Sequence, residues 1–140
     1  MRVNTKMRYG LRSMMEIAAA GEEGIFQKEI AKRQSISEKY LDTIIASLKT
    51  AGLIRNKSGK KSGYVLAKSP EQIRMLDIIN AFQSGVCIID CLEINSKCNR
   101  KQKCTAIKYW KELNNLIENY LASKTLKEMV AQLKIDLKTE

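Results

Sequence analysis

All four cysteines of this chain fall in one stretch, Gly85-Val-Cys87-Ile-Ile-Asp-Cys91-Leu-Glu-Ile-Asn-Ser-Lys-Cys98-Asn-Arg-Lys-Gln-Lys-Cys104. The last three follow a C-x6-C-x5-C spacing through Asn, Ser, Lys and Gln, with no periodic apolar face that would make the segment helix or strand. A loop with three thiols can fold around an ion or cluster, and thiolates are soft ligands suited to iron-sulfur clusters, zinc or copper(I). The neighbouring Lys97, Arg100, Lys101 and Lys103 are expected to favour deprotonated sulfur. Cys98 and Cys104 sit in a polar, basic run where a small hydrophobe has nothing to pack against. Cys87, between Val86 and Ile88, has the setting of an ordinary core residue. The usual zinc patterns need two short cysteine hooks, and only Cys87 with Cys91 could make one here.

The elements that must position this loop come from a chain of 140 residues, 44% hydrophobic, enough for one domain with a real core. No long apolar run predicts a membrane span. Met1-Arg-Val-Asn-Thr-Lys has no apolar signal region, so the expected compartment is the cytoplasm, where thiols stay reduced. Net charge is +10, and it is unevenly placed. Residues 1–69 hold 14 Lys and Arg against 6 Asp and Glu, whereas residues 70–140 hold 11 against 9. Positive charge concentrated on one module is the footprint of a phosphate-backbone binder.

Apolar residues at three- and four-residue spacing predict a helix over Thr5 to Ala20, closed by Gly21. Ile25 and Phe26 suggest a short edge strand. A two-turn helix is expected from Gln27 to Arg33, then a turn at Ser35-Ile36-Ser37, then a helix from Glu38 to Ala51 with Ser37 as N-cap and Gly52 as stop. Leu53-Ile54-Arg55 and Tyr64-Val65-Leu66-Ala67 read as strands around the basic turn Lys57 to Gly63. Helix, turn, helix and hairpin in that order make a winged helix-turn-helix, a mainly α fold with a small β-hairpin wing. Its second helix would offer Lys39, Asp42, Thr43, Ala46 and Ser47 to base edges, while Arg2, Lys28, Lys57, Ser58, Lys60 and Lys61 would serve the rest of the DNA surface.

Ser69-Pro70-Glu71-Gln72 opens a helix or turn leading into Leu76, Ile78, Ile79 and Phe82. After Cys104 a long helix, about Thr105 to Ala122, carries an apolar face too broad to bury alone. Either it packs back on its own domain or it pairs with the same helix of a second subunit; because palindromic operators call for two-fold dimers, pairing through Trp110, Leu113, Ile117, Tyr120 and Leu121 is expected. Thr125-Leu-Lys-Glu128 is a capping box that starts a last helix. The organisation is thus a DNA-binding module at 1–69, a connecting helix and cysteine loop at 70–104, and dimerisation and terminal helices at 105–140, in one compact chain.

The chain resembles the Rrf2 family of bacterial winged-helix regulators nearly end to end. The carriers are Met1-Arg-Val-Asn-Thr-Lys-Met-Arg-Tyr-Gly10, Ile36-Ser-Glu-Lys-Tyr-Leu41, Ala51-Gly-Leu-Ile54, Gly63-Tyr-Val-Leu66 and the three-cysteine loop ahead of a long helix. The resemblance implies a homodimer with crossing long helices and an iron-sulfur cluster in each subunit held by Cys91, Cys98 and Cys104, a two-iron cluster being preferred over a four-iron one. It also places Asp42 where the family's iron-sulfur regulator has an acidic residue; a carboxylate there can accept from cytosine. That regulator has a histidine three residues after its third cysteine, where this chain has Ile107 and no histidine anywhere. The family's nitric-oxide sensor takes an aspartate from its first helix, where this chain has Arg8. The fourth ligand stays open among Cys87, Asp90, Glu93, a residue of the other subunit and an exogenous thiol. In the wing, Ser58 stands where many relatives carry Arg.

The function expected from these residues is a DNA-binding transcriptional regulator that senses iron-sulfur status, oxidants or nitric oxide. The alternative is a thiol-redox or zinc-responsive repressor without a cluster, in cysteine metabolism for instance. An enzyme is not expected, because there is no histidine, nucleophile motif or phosphate-cradling glycine loop.

Overall fold

Asn4 opens the first helix by accepting the Met7 N–H at 3.0 Å, and Gly21, at φ +61°, closes it. Between them α1 (Thr5–Ala20) buries Met7, Met14 and Ile17 along the stripe expected from the sequence. The computed structural model describes residues 2–58 and 63–139.

Helix α2 (Gln27–Gln34) ends at Ser35, the one described non-glycine residue with positive φ, at 54°. That left-handed step turns the chain into Ser37, whose hydroxyl accepts the Tyr40 N–H at 3.2 Å and starts α3 (Glu38–Thr50). Leu41, Ile44, Ile45 and Leu48 lock α3 into the core. A polar seam ties α1 to α2. Glu16, buried, accepts from Arg33 at 3.3 Å and from Gln34 at 2.6 Å, and Arg12 donates to the Gln34 side chain at 2.7 Å.

Strands β1 (Ile54–Asn56) and β2 (Tyr64–Leu66) form an antiparallel hairpin with Ile54 opposite Leu66 and Asn56 opposite Tyr64. The edge strand expected at Ile25 and Phe26 shrinks to one bridge between Ile25 and Tyr64, because Phe26 already begins the entry into α2. Gly63 permits that bridge: a Cβ there would lie 2.1 Å from the Ile25 carbonyl oxygen.

Of the helix or turn expected after Ser69, the connector makes the turn. Pro70–Gln72 makes only a 3₁₀ turn, and Ile73 then runs extended into the core with no exposed surface. Its neighbours pair backward: Met75 N–H donates to Lys124 at 2.9 Å and Leu126 N–H donates to Ile73 at 2.9 Å, with an antiparallel bridge between Arg74 and Thr125. Burial of Ile73 and this pairing delay the helix, so α4 covers only Met75–Asn80. Beyond the cysteine loop come α5 (Ile107–Ser123) and α6 (Leu126–Thr139), the latter opened by Thr125, whose hydroxyl accepts the Glu128 N–H at 3.2 Å. The main core joins Met14 and Ile17 of α1, the α3 residues, Ile73 and Ile78, and Leu126 and Val130 of α6, so the C-terminal helix shares a core with the winged helix. A second cluster of Met7, Ile79 and Leu121 seats α5 on α1 and α4.

Candidate DNA interface and cysteine loop

The inward face of α3 is fixed by its four buried apolar residues, which leaves Lys39, Asp42, Thr43 and Ala46 exposed and Ser47 half-buried on the outer side. Asp42 is not a loose anion. The Gln27 side-chain amide, at the start of α2, donates to Asp42 Oδ1 and, at 3.2 Å, to the Glu38 carbonyl. The Tyr64 hydroxyl donates to Gln27 Oε1 at 3.5 Å, and Lys49 Nζ lies 5.0 Å from the Tyr64 ring centroid. Helix, wing and α2 are therefore joined through Gln27, a residue that the sequence did not single out. A lone Gln at a helix start carries no signal of a partner 15 residues away.

Among the cations expected to meet phosphate, Arg2 and Lys28 are exposed, as is Ser58 in the wing. Lys57 has a structural contact as well. Half-buried, it donates to the Glu23 carbonyl at 3.1 Å and so fastens the hairpin to the turn after α1. Lys60 and Lys61 lie outside the described residues.

The cysteine loop leaves α4 by way of Phe82, which packs against Gly10 of α1 so closely that a Cβ on Gly10 would approach the ring to 2.2 Å. Gly85 then turns at φ +70°, and Val86 to Ile89 run half-buried along α5. Cys91 follows in a short turn at Asp90–Leu92, and Cys98 and Cys104 are exposed. The thiol of Cys91 is pushed above its ordinary value, first by partial withdrawal from water and then by the facing thiols of Cys98 and Cys104. Cys98 and Cys104 thus both bear on the Cys91 thiol. The expectation that nearby cations would favour the thiolate does not hold at Cys91, where burial and thiol–thiol opposition dominate; Lys101 is drawn instead to the Glu93 carbonyl at 3.2 Å. Cys87 points elsewhere, its Sγ donating to the Ile89 carbonyl at 3.0 Å.

Three soft donors on one loop, among basic residues and without histidine, fit a thiolate-held group in kind. Among the described residues no set of three or more His, Cys, Asp or Glu is already arranged as a metal cage. Loading would therefore draw the thiols inward and displace their protons.

Helix α5 presents two faces. Tyr109, Leu113, Leu116 and Tyr120 are 66%, 41%, 67% and 58% exposed and recur at four, three and four, the spacing of a helix-pairing seam. Trp110, 45% exposed, borders them. Ile117 and Leu121, expected to meet a second subunit, turn inward against Met7 and Ile79 and hold α5 to its own protomer. Tyr109 and Leu116 take their place on the outer face.

A helix-turn-helix followed by a hairpin, with basic residues around both, defines a winged-helix DNA-binding regulator. Residues 3–132 match the Rrf2 family model, described as an iron-dependent transcriptional regulator. The chain belongs to the Rrf2 family of transcriptional regulators. It is 34% identical over 131 residues to protein Rrf2 of Nitratidesulfovibrio vulgaris, covering 93% of this chain and 87% of that one. The solved structure of CymR, the global cysteine regulator of B. subtilis, superposes with a TM-score of 0.77 at 28% identity, over 94% of this chain and 98% of that one. T. potens IscR gives a TM-score of 0.75 at 32% identity, over 95% and 88%. The class is a DNA-binding one and not an enzyme. No described helix is long and apolar enough to cross a membrane.

Proposed function

We propose that this regulator senses iron-sulfur status, oxidants or nitric oxide through a cluster held by Cys91, Cys98 and Cys104, and works as a homodimer on a palindromic operator. The observation that carries this reading is the gathering of Cys91, Cys98 and Cys104 as free thiols on one loop between α4 and α5, with Cys98 and Cys104 exposed. When bound, the cluster supplies iron–thiolate bonds that oxidants and nitric oxide attack. The protein supplies the rest. The loop is continuous with Val86, which packs against the cluster of Met7, Ile79 and Leu121, and with Phe82, which rests on Gly10. Helix α1 in turn shares its core with α3, so a shift of the loop biases the reading helix through packed neighbours. In this reading Lys39, Thr43 and Ser47 meet bases, Asp42 stands among them with its carboxylate held back by Gln27, and Arg2, Lys28, Lys57, Ser58, Lys60 and Lys61 serve the flanking backbone. Two copies pair through Tyr109, Trp110, Leu113, Leu116 and Tyr120.

A second reading, a zinc-responsive or thiol-redox regulator akin to the cysteine regulator, draws on the absence of a ready-made cage among the described residues and on the likeness to CymR. Anaerobic purification with visible absorbance and iron and sulfide counts separates the two. Stoichiometric iron and sulfide in wild type, lost in Cys98→Ser and kept in Cys87→Ala, is the expected result. Colourless protein with zinc, or with no metal after reconstitution, supports the second reading. Loss in Cys87→Ala would make Cys87 the fourth ligand despite its bond to Ile89.

A further inference from the structure

We propose that Asn114 is the positioning residue of the cysteine loop, fixing the strand that delivers Cys91 onto α5 so that the three thiols converge; this rests on the reading of the loop as a thiolate site. Residues between the end of α4 and Cys91 form no regular structure, so their peptide groups need other partners. One side chain meets two of them. The Ile88 N–H donates to Asn114 Oδ1 at 3.0 Å, and Asn114 Nδ2 donates to the Val86 carbonyl at 2.9 Å. A carboxamide carries a donor and an acceptor side by side, as a peptide group does, so Asn114 stands in for a neighbouring strand along residues 86–88. Its orientation follows from the backbone, because an N–H must face the oxygen and a carbonyl must face the nitrogen.

Geometry makes this more than a surface contact. Both bonds are partly buried, and Asn114 lies on the inner side of α5, three and seven residues before Ile117 and Leu121 and so on the face they anchor. The two bonds bracket Cys87, and the Val86 side chain packs beside Met7 and Leu121. At its far end the loop runs from Cys104 straight into α5, with the Ile107 N–H donating to the Cys104 carbonyl at 3.4 Å. Both ends of the cysteine loop are therefore held by one helix. The reach between Cys91 and Cys104 is set by α5 at one end and by Asn114 at the other. Groups that orient ligands without touching a metal commonly change metal affinity by about 10–100-fold when removed.

The test is an anaerobic titration of the full-length protein with Co(II), read by the sulfur-to-cobalt charge-transfer band, beside amide hydrogen exchange and thermal melting. Wild type, Asn114→Ala and Asn114→Asp are compared; the last keeps the acceptor for Ile88 but loses the donor to Val86. The expected result is thiolate-bound cobalt in wild type and affinity lower by about 10–100-fold in both variants. Faster exchange should be confined to residues 86–92, with α1 to α3 still protected. Cobalt affinity within about twofold of wild type, with Ile88 deprotected, overturns the proposal. Loss of affinity together with general loss of protection in α1 to α3 in both variants also overturns it, since Asn114 would then be merely structural. If wild type takes up no thiolate-bound cobalt while Ile88 stays protected, the thiolate reading itself fails and the proposal falls with it.

Discussion

Gln27 and Asp42 show how one side chain can decide what another offers to DNA. With its carboxylate held by the Gln27 amide, Asp42 is restrained from meeting a cytosine amino group. Gln27→Leu frees it. Selection from a random duplex library should then show a new cytosine preference at the facing position, worth about 1–3 kcal/mol, and the preference should vanish when Asp42→Ala is added. A preference that survives the double substitution would place the effect elsewhere. Ser35 gives a stability counterpart. It holds a left-handed conformation that costs an L residue about 1 kcal/mol, so Ser35→Gly should raise the melting midpoint by a few degrees. Much at this scale was legible beforehand: Ser37 as a cap and Thr125 with Glu128 follow from local chemistry. Gln27 and Asn114 were not legible, because each acts on a group far away in the chain, and an amide has no local pattern that announces its partner.

Helix α5 is the element on which most depends. Its existence and length followed from periodicity, but the assignment of its faces did not, since an apolar arc broader than one stripe does not say which edge meets its own protomer. The structure divides that arc, with Ile117 and Leu121 inward and Tyr109, Leu113, Leu116 and Tyr120 outward. Two substitutions should therefore behave differently. Leu116→Glu should dissociate the proposed dimer in sedimentation equilibrium while leaving the melting of the single chain largely intact. Leu121→Ala should cost about 2–5 kcal/mol of folding stability, measured by denaturant titration. Equal effects of both on assembly would mean that the faces are wrongly divided. The connector shows another limit of local signals. Ser69-Pro70 marks a helix or turn without deciding between them, and buried Ile73 with its pairing to residues near 125 settles it as a 3₁₀ turn before Met75.

At the scale of the whole molecule, charge and sulfur occupy different ends of the chain but one packed body. Sequence placed the basic excess in the first half and the thiols after it; it did not reveal that α6 returns to the core of the winged helix through Leu126 and Val130. That return gives the last helix and the reading helix a common core, on which α1 also rests. Metal uptake should depend on pH in a definite direction. Because the Cys91 thiol is raised above its ordinary value and must lose its proton to ligate, uptake should strengthen as pH rises and continue to do so above the range of a free thiol, until the raised value is passed. Titrations with Co(II) at stepped pH check this, and a flat profile would contradict it. The most direct test of the central claim is the affinity of loaded and metal-stripped protein for the same selected operator, measured anaerobically at one fixed salt concentration. A linked sensor predicts affinities that differ by about 5–150-fold, with the difference abolished in Cys91→Ser. Equal affinities of loaded and stripped protein would leave a winged-helix regulator whose cysteine loop does not govern its DNA binding.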